Sequence, residues 1–190
     1  TGTNMAPTTI EIDPSTTYQT IDGFGFALTY SSAYNLLHMS QAARTAFLKR
    51  TFSPTEGYGV SYLRISIGCS DFSSRVYTLC DTEGIDNFAL QSDETNYIVP
   101  VLKEILAINP NVKIIASPWT CPRWMKTTET LSGSYDSWTG GRLRPARRSV
   151  YAQYFVKFIQ AMQAEGISIY AVTPQNEPLN KGNCASLYMP

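Results

Sequence analysis

Short runs of almost continuously apolar and β-branched residues alternate along this chain with stretches whose apolar residues recur at helical spacing. The strands predicted from the first kind of run are Phe24 to Thr29, Val60 to Ile67, Val112 to Trp119 and Ile167 to Val172. Runs of this type are usually covered on both faces. Ser40 is placed to cap a helix through Ala43, Phe47 and Leu48. Ile98, Val101, Leu102, Ile105 and Leu106 form a second helical stripe, with Pro100 near its first turn and Asn109-Pro110 as its stop. The third and strongest stripe is Tyr151, Tyr154, Phe155, Phe158, Ile159 and Met162, which Gly166 is placed to end. Ahead of these elements, Thr8 to Ile12 alternates, Asp13-Pro14-Ser15 signals a turn, and Tyr18 to Ile21 resumes an extended pattern. That opening predicts a β-hairpin.

Strand, helix, strand repeated along a chain implies parallel strands joined by right-handed crossovers, so the choice lies between a closed (β/α) barrel and an open doubly wound sheet. An open nucleotide-binding sheet wants a phosphate loop. Asp22-Gly23-Phe24-Gly25-Phe26-Ala27-Leu28 lacks the third glycine, and no G-x-x-x-x-G-K-[ST] occurs. The long aromatic and polar segments Gly68 to Ser92 and Thr120 to Arg148 suit the active-site loops of a barrel. A complete barrel takes about 250 residues. Only four strand-helix steps are present, the last without its helix, so the chain reads as the first half of a TIM barrel. The remainder is expected outside these 190 residues or on another chain.

Composition narrows the partners. Fifteen basic residues balance fifteen acidic ones, which argues against nucleic acid or an anionic membrane and favours a neutral substrate. No apolar run approaches the roughly 20 residues that cross a bilayer. Cys69, Cys80, Cys121 and Cys184 are scattered without a C-x-x-C pair and read mostly as free thiols. His38 is the only histidine, which makes a His-rich metal site or a Ser-His-Asp triad a poor expectation. Neither metal nor cofactor is expected. Thr1 to Thr9 has no signal-peptide character, as in a mature exported protein.

In a parallel barrel, chemistry collects where strands end. Arg64 lies on the second predicted strand, which leads into Asp71. The third ends at Trp119, and the fourth leads through Asn176 to Glu177. Such a set suits a sugar, with an indole against the ring's apolar face and polar groups on its hydroxyls. Glu177, between Pro174 and Pro178, is the candidate acid, because partial desolvation there would raise its pKa. Plainer readings stand beside these. Asn176-Glu177-Pro178 also fits a polar loop, Arg64 an ion pair with a neighbouring strand, Asp71 a turn cap, and Trp119 and Trp124 core or rim packing. His38 is assigned to a surface helix face, and Arg142, Arg144, Arg147 and Arg148 to a solvated or substrate-rim loop.

Four blocks in order carry a resemblance. They are Asp22-Gly23-Phe24-Gly25, Tyr62 to Ser73, Ala116 to Lys126 and Val172 to Pro178. Together they resemble family 30 glycoside hydrolases, which include glucosylceramidases and bacterial β-1,6-glucanases. The resemblance implies a retaining β-glycosidase on a (β/α)8 barrel with a β-sandwich side domain. Residues 1–22 would then supply strands of the side domain, and residues 23–190 the first half of the barrel. It further implies Glu177 as acid/base, Asn176 as partner of the sugar 2-hydroxyl, and Arg64, Asp71 and Trp119 as lining of the glucose subsite. The nucleophilic glutamate would lie beyond Pro190. Tyr30 departs from the pattern, since many relatives are acidic there.

The resemblance implies a carbohydrate partner and a secreted, periplasmic or cell-surface location. A β-glucan is favoured over glucosylceramide because the Ser132 to Trp138 rim is polar and aromatic rather than apolar. A catalytically inactive sugar-binding barrel is the alternative from another class. Within the chain, Glu129 and Asp136 on the third loop are poor substitutes for the second carboxylate.

Overall fold

The computed structural model describes residues 10–127, 138–180, 182 and 185–190. Its centre is a four-stranded, all-parallel sheet. Strand β1 (Gly25–Ala27) is followed by helices α1 (Tyr30–His38) and α2 (Gln41–Phe52) and by β2 (Tyr62–Ser66). A π-helical turn, Glu94–Ile98, leads into α3 (Val99–Ile108) and then β3 (Lys113–Ser117). A small antiparallel pair, β4 (Lys126–Thr127) with β5 (Arg142–Leu143), precedes α4 (Arg148–Ala164) and β6 (Ala171–Val172). The order in the main sheet is β1-β2-β3-β6, as in successive strands of a barrel.

The helix signals act as the pattern predicts. The Ser40 hydroxyl accepts from the Ala43 amide, Pro100 sits in the first turn of α3, and Gly166 beyond α4 has φ +80°. Helix α1 was not foreseen as an element. Thr29 caps it, accepting from the Ser32 amide, and His38 closes its last turn. Along β2 the side chains alternate, Leu63 and Ile65 being buried while Tyr62, Arg64 and Ser66 are half-buried. Leu63, Ile65, Ile114 and Ala116 join Leu48, Phe52, Leu102, Ile105, Tyr154 and Phe158 in one core between sheet and helices. Four strands cannot close a barrel of eight. The expectation of strands covered on both faces therefore holds on the helix side alone, and on the other face Tyr62, Arg64 and Ile115 are only half-buried. At the β1–β2 contact only glycine fits at position 25, because any Cβ would collide with the Tyr62 carbonyl oxygen.

Two expectations are corrected. The opening hairpin is absent among the described residues, since Ile10 to Asp22 contains the Asp13 turn but no paired strand. Ile10, Ile12 and Tyr18 remain more than 80% exposed, and without a second sheet to cover them the alternating pattern has nothing to pair against. The fourth strand shrinks from Ile167–Val172 to Ala171–Val172, because as an edge strand it is held from one side only. Cys69, Cys80 and Cys121 are buried and in no disulfide, and Cys184 lies outside the described residues. No helix among the described residues is long and apolar enough to cross a membrane.

Candidate active site

Three of the five candidate residues converge at the carboxyl ends of the strands. Arg64 points off the half-buried face of β2, and its Nη2 donates to Asn176 Oδ1 at 2.9 Å. The guanidinium carbon also sits 4.8 Å from the centroid of the Trp119 ring. No carboxylate lies within ion-pair distance of Arg64 among the described residues, so its partners are an amide and an indole rather than a neighbouring strand's acid. A charge-assisted hydrogen bond and a cation–π contact together fix the side chain.

Trp119 is 7% exposed, and the guanidinium lies over its ring. Its Nε1 is a buried donor with no acceptor among the described residues. A buried unpaired N–H costs about 1–3 kcal/mol. Gln175, which carried no signal in the sequence, links the two loops. Its Nε2 donates to the carbonyls of Trp119 at 2.7 Å and Asn176 at 2.8 Å, while its Oε1 is likewise buried without a donor. The Asn176 amide donates to the Pro118 carbonyl at 2.8 Å. The loops after β3 and β6 are thereby tied together beneath the three residues.

Glu177 follows in the only left-handed non-glycine backbone conformation among the described residues, φ +45°. Its main-chain carbonyl accepts from the Asn180 amide at 2.9 Å, and Oε2 accepts from Asn180 Nδ2 at 2.7 Å. Asn180 thus orients the carboxylate, a role that a lone asparagine in a polar loop does not advertise. Glu177 is exposed, so the desolvation expected from its flanking prolines is not supplied by the described residues. Asp71 is also exposed, in the turn after β2, where Ser70 and Ser73 make the hydrogen bonds; it does not meet Arg64, Asn176 or Trp119. Trp124 resolves as packing, buried with Nε1 donating to the Cys80 carbonyl. The basic run is partly engaged, Arg147 pairing with Glu83 and Arg142 lying over Tyr188.

Two buried charged groups brace the surrounding loops. Lys126, 1% exposed, donates from Nζ to the carbonyls of Trp138, Gly140 and Ser186, and burial lowers its pKa to about 8. It pins both described ends of the loop after β3. Residues 128–137, which include Glu129 and most of the Ser132 to Trp138 rim, lie outside the described residues. Under the loop after β2, Glu94 accepts from the Tyr77 hydroxyl at 2.5 Å and the Gln91 amide at 2.9 Å. Burial pushes its pKa up to about 7 against those two bonds. Beside it Asp93 pairs with Arg75, whose guanidinium covers the Tyr77 ring. Among the described residues no three of His, Cys, Asp and Glu gather as metal ligands. An apolar cavity of about 330 Å³ between β1, α1 and α2 lies on the helix side of the sheet, away from these groups.

Comparison with known proteins identifies the family. The endo-1,6-β-D-glucanase of Neurospora crassa is 37% identical over 177 residues, covering 90% of this chain and 36% of its own. The lysosomal acid glucosylceramidase of Mus musculus is 34% identical over 182 residues, covering 94% and 34%. The solved structure of the endo-β1,6-glucanase BT3312 superposes with a TM-score of 0.88 at 65% identity, covering 93% of this chain and 39% of that one. The chain therefore spans a little over a third of the length of these relatives. The glycosyl hydrolase family 30 TIM-barrel domain matches over residues 21–187, and the chain belongs to that family of glycoside hydrolases.

Proposed function

We propose that this chain supplies the acid/base half of a retaining β-glycosidase whose substrate is a β-glucan, with 1,6-linked glucan preferred over glucosylceramide. The observation that carries the reading is the junction of Arg64, Asn176 and Trp119 at the mouth of the parallel sheet, with Glu177 next in the chain. The 65% identity to an endo-β1,6-glucanase, against 34% to a glucosylceramidase, supports the glucan.

Retention needs two carboxyl groups about 5–5.5 Å apart, one attacking the anomeric carbon and one protonating the departing oxygen. Glu177 takes the second role, as acid in glycosylation and base in the hydrolytic step. The nucleophile comes from a later strand, beyond residue 190. Asn176, held by Arg64, presents its amide to the sugar 2-hydroxyl. Trp119, its ring held against the Arg64 guanidinium, lines the glucose subsite. Asp71, exposed in the turn after β2, is the remaining polar group assigned to the subsite. Residues 1–22 belong to a β-sandwich side domain, a placement supported by the exposed side chains of Ile10, Ile12, Tyr18 and Ile21. The enzyme acts outside the cytoplasm.

The test is hydrolysis by the full reading frame of β-1,6-glucan, β-1,3-glucan and glucosylceramide, with the anomer of the first product followed by NMR. Preferential release of β-configured product from the 1,6-linked polymer is expected. Inverted product, or preference for the lipid, overturns the reading.

A further inference from the structure

Beside the loop after β2, α1 presents a cluster of rings that the chemistry above does not use. Tyr34 and His38 stack at 3.9 Å between centroids and 27° between planes, and the His38 ring nitrogen Nδ1 is 2.7 Å from the Tyr34 carbonyl. Tyr97, from the π-helical turn, meets Tyr30 at 5.0 Å edge-on and Tyr34 at 5.7 Å. Tyr34 nevertheless remains 39% exposed. Tyr30, Ser31, Tyr34, Asn35 and Ser74 line a pocket of about 430 Å³. Its two walls are fastened together, the Ser31 hydroxyl donating to the Phe72 carbonyl at 2.6 Å. Its α1 residues lie in the first two turns of that helix, which begins at Tyr30, shortly after β1 ends at Ala27.

An exposed ring immobilised by its neighbours loses little freedom on binding, and hydroxyl and amide groups around it match the alternating C–H faces and hydroxyls of a pyranose. A membrane or an apolar peptide would want contiguous apolar surface, whereas Ser31, Asn35 and Ser74 make this lining mixed. We infer that the α1 pocket is a second carbohydrate subsite, which binds a glucose unit of a β-glucan chain away from the bond being cleaved, with the Tyr34 ring as its platform. This inference rests on the β-glucan reading and extends it from one sugar to a polymer.

The test is affinity electrophoresis of the full reading frame through soluble β-1,6-glucan, together with hydrolysis of an aryl β-glucoside. Wild type is expected to be retarded by the polymer. Tyr34→Ala is expected to bind it about fivefold to tenfold more weakly, and Tyr34→Phe, which keeps the ring, to bind as wild type does. Asn35→Ala, on an exposed residue outside the ring packing, should weaken retardation about threefold and serves if Tyr34→Ala lowers the unfolding midpoint. Equal retardation of wild type, Tyr34→Ala and Asn35→Ala, or no retardation of an enzyme that still cleaves the aryl glucoside, overturns the subsite alone. Loss of both retardation and aryl-glucoside cleavage in wild type overturns the glucan reading with it.

Discussion

Replacing Glu94 by glutamine isolates one proton. In the fold the Glu94 carboxyl is 3% exposed, and burial raises its pKa from 4.5 to about 7 despite bonds from Tyr77 and Gln91. Between those two values the folded state holds a proton that the unfolded state has released, so stability falls as pH rises. The favourable contribution is whole below pH 4.5 and is lost as pH climbs through about 7. At about 1.36 kcal/mol per pKa unit, the loss is roughly 3 kcal/mol. Glutamine has no proton to lose. It mimics the protonated acid, its oxygen accepting from the Gln91 N–H and its amide donating to the Tyr77 hydroxyl oxygen, so no polar group is stranded. Urea unfolding midpoints of both proteins, taken from pH 4 to 8, should therefore show Glu94→Gln close to wild type at the acid end and the more stable above pH 7, by up to roughly 3 kcal/mol. Taking the difference between the curves removes the other carboxylates, Asp93 included. Curves that stay parallel across the range would mean that Glu94 keeps its charge throughout, and would refute the reasoning.

Three further outcomes are expected. Glu177→Gln should slow cleavage of substrates with poor leaving groups at least 100-fold more than that of activated aryl glucosides, on the roughly 10²–10⁴-fold scale of general acid catalysis; equal losses on both would contradict the acid assignment. Arg64→Met removes the bond to Asn176 and the contact with Trp119, and should lower kcat/KM for any β-glucoside by about 10- to 100-fold; an unaltered value would show the trio to be idle. Lys126→Met strands the carbonyls of Trp138, Gly140 and Ser186, and should cost about 3 kcal/mol or more; a thermal midpoint within a degree of wild type would refute the bracing role.

What the sequence disclosed is what local periodicity can carry. The α4 stripe from Tyr151 to Met162 and the Ser40 cap were legible because each depends on residues within a few turns of one another. Strand ends marked where Arg64, Trp119 and Asn176 would meet, although not that Arg64 would choose an amide over a carboxylate. Helix α1 was missed because Ala33 is its only fully buried residue, too sparse a stripe to read. The opening segment misled for the opposite reason, since its alternation is clear but strand pairing depends on a partner that local sequence does not contain. Glu94 sits in Gln91-Ser92-Asp93-Glu94-Thr95-Asn96, which reads as a solvated turn, and only the packing of Tyr77 over it reveals a buried acid. Gln175 and Asn180 act through single hydrogen bonds across loops, for which no spacing rule exists.

The torsion at position 177 places durability and turnover in opposition. A side chain with a Cβ is held where glycine or asparagine would rest more easily, at a penalty on the order of 1 kcal/mol. Because Glu177 is the proposed acid, selection for heat resistance alone would drift toward those residues and leave a sturdier protein without it. Libraries built from this scaffold need turnover in the screen from the first round.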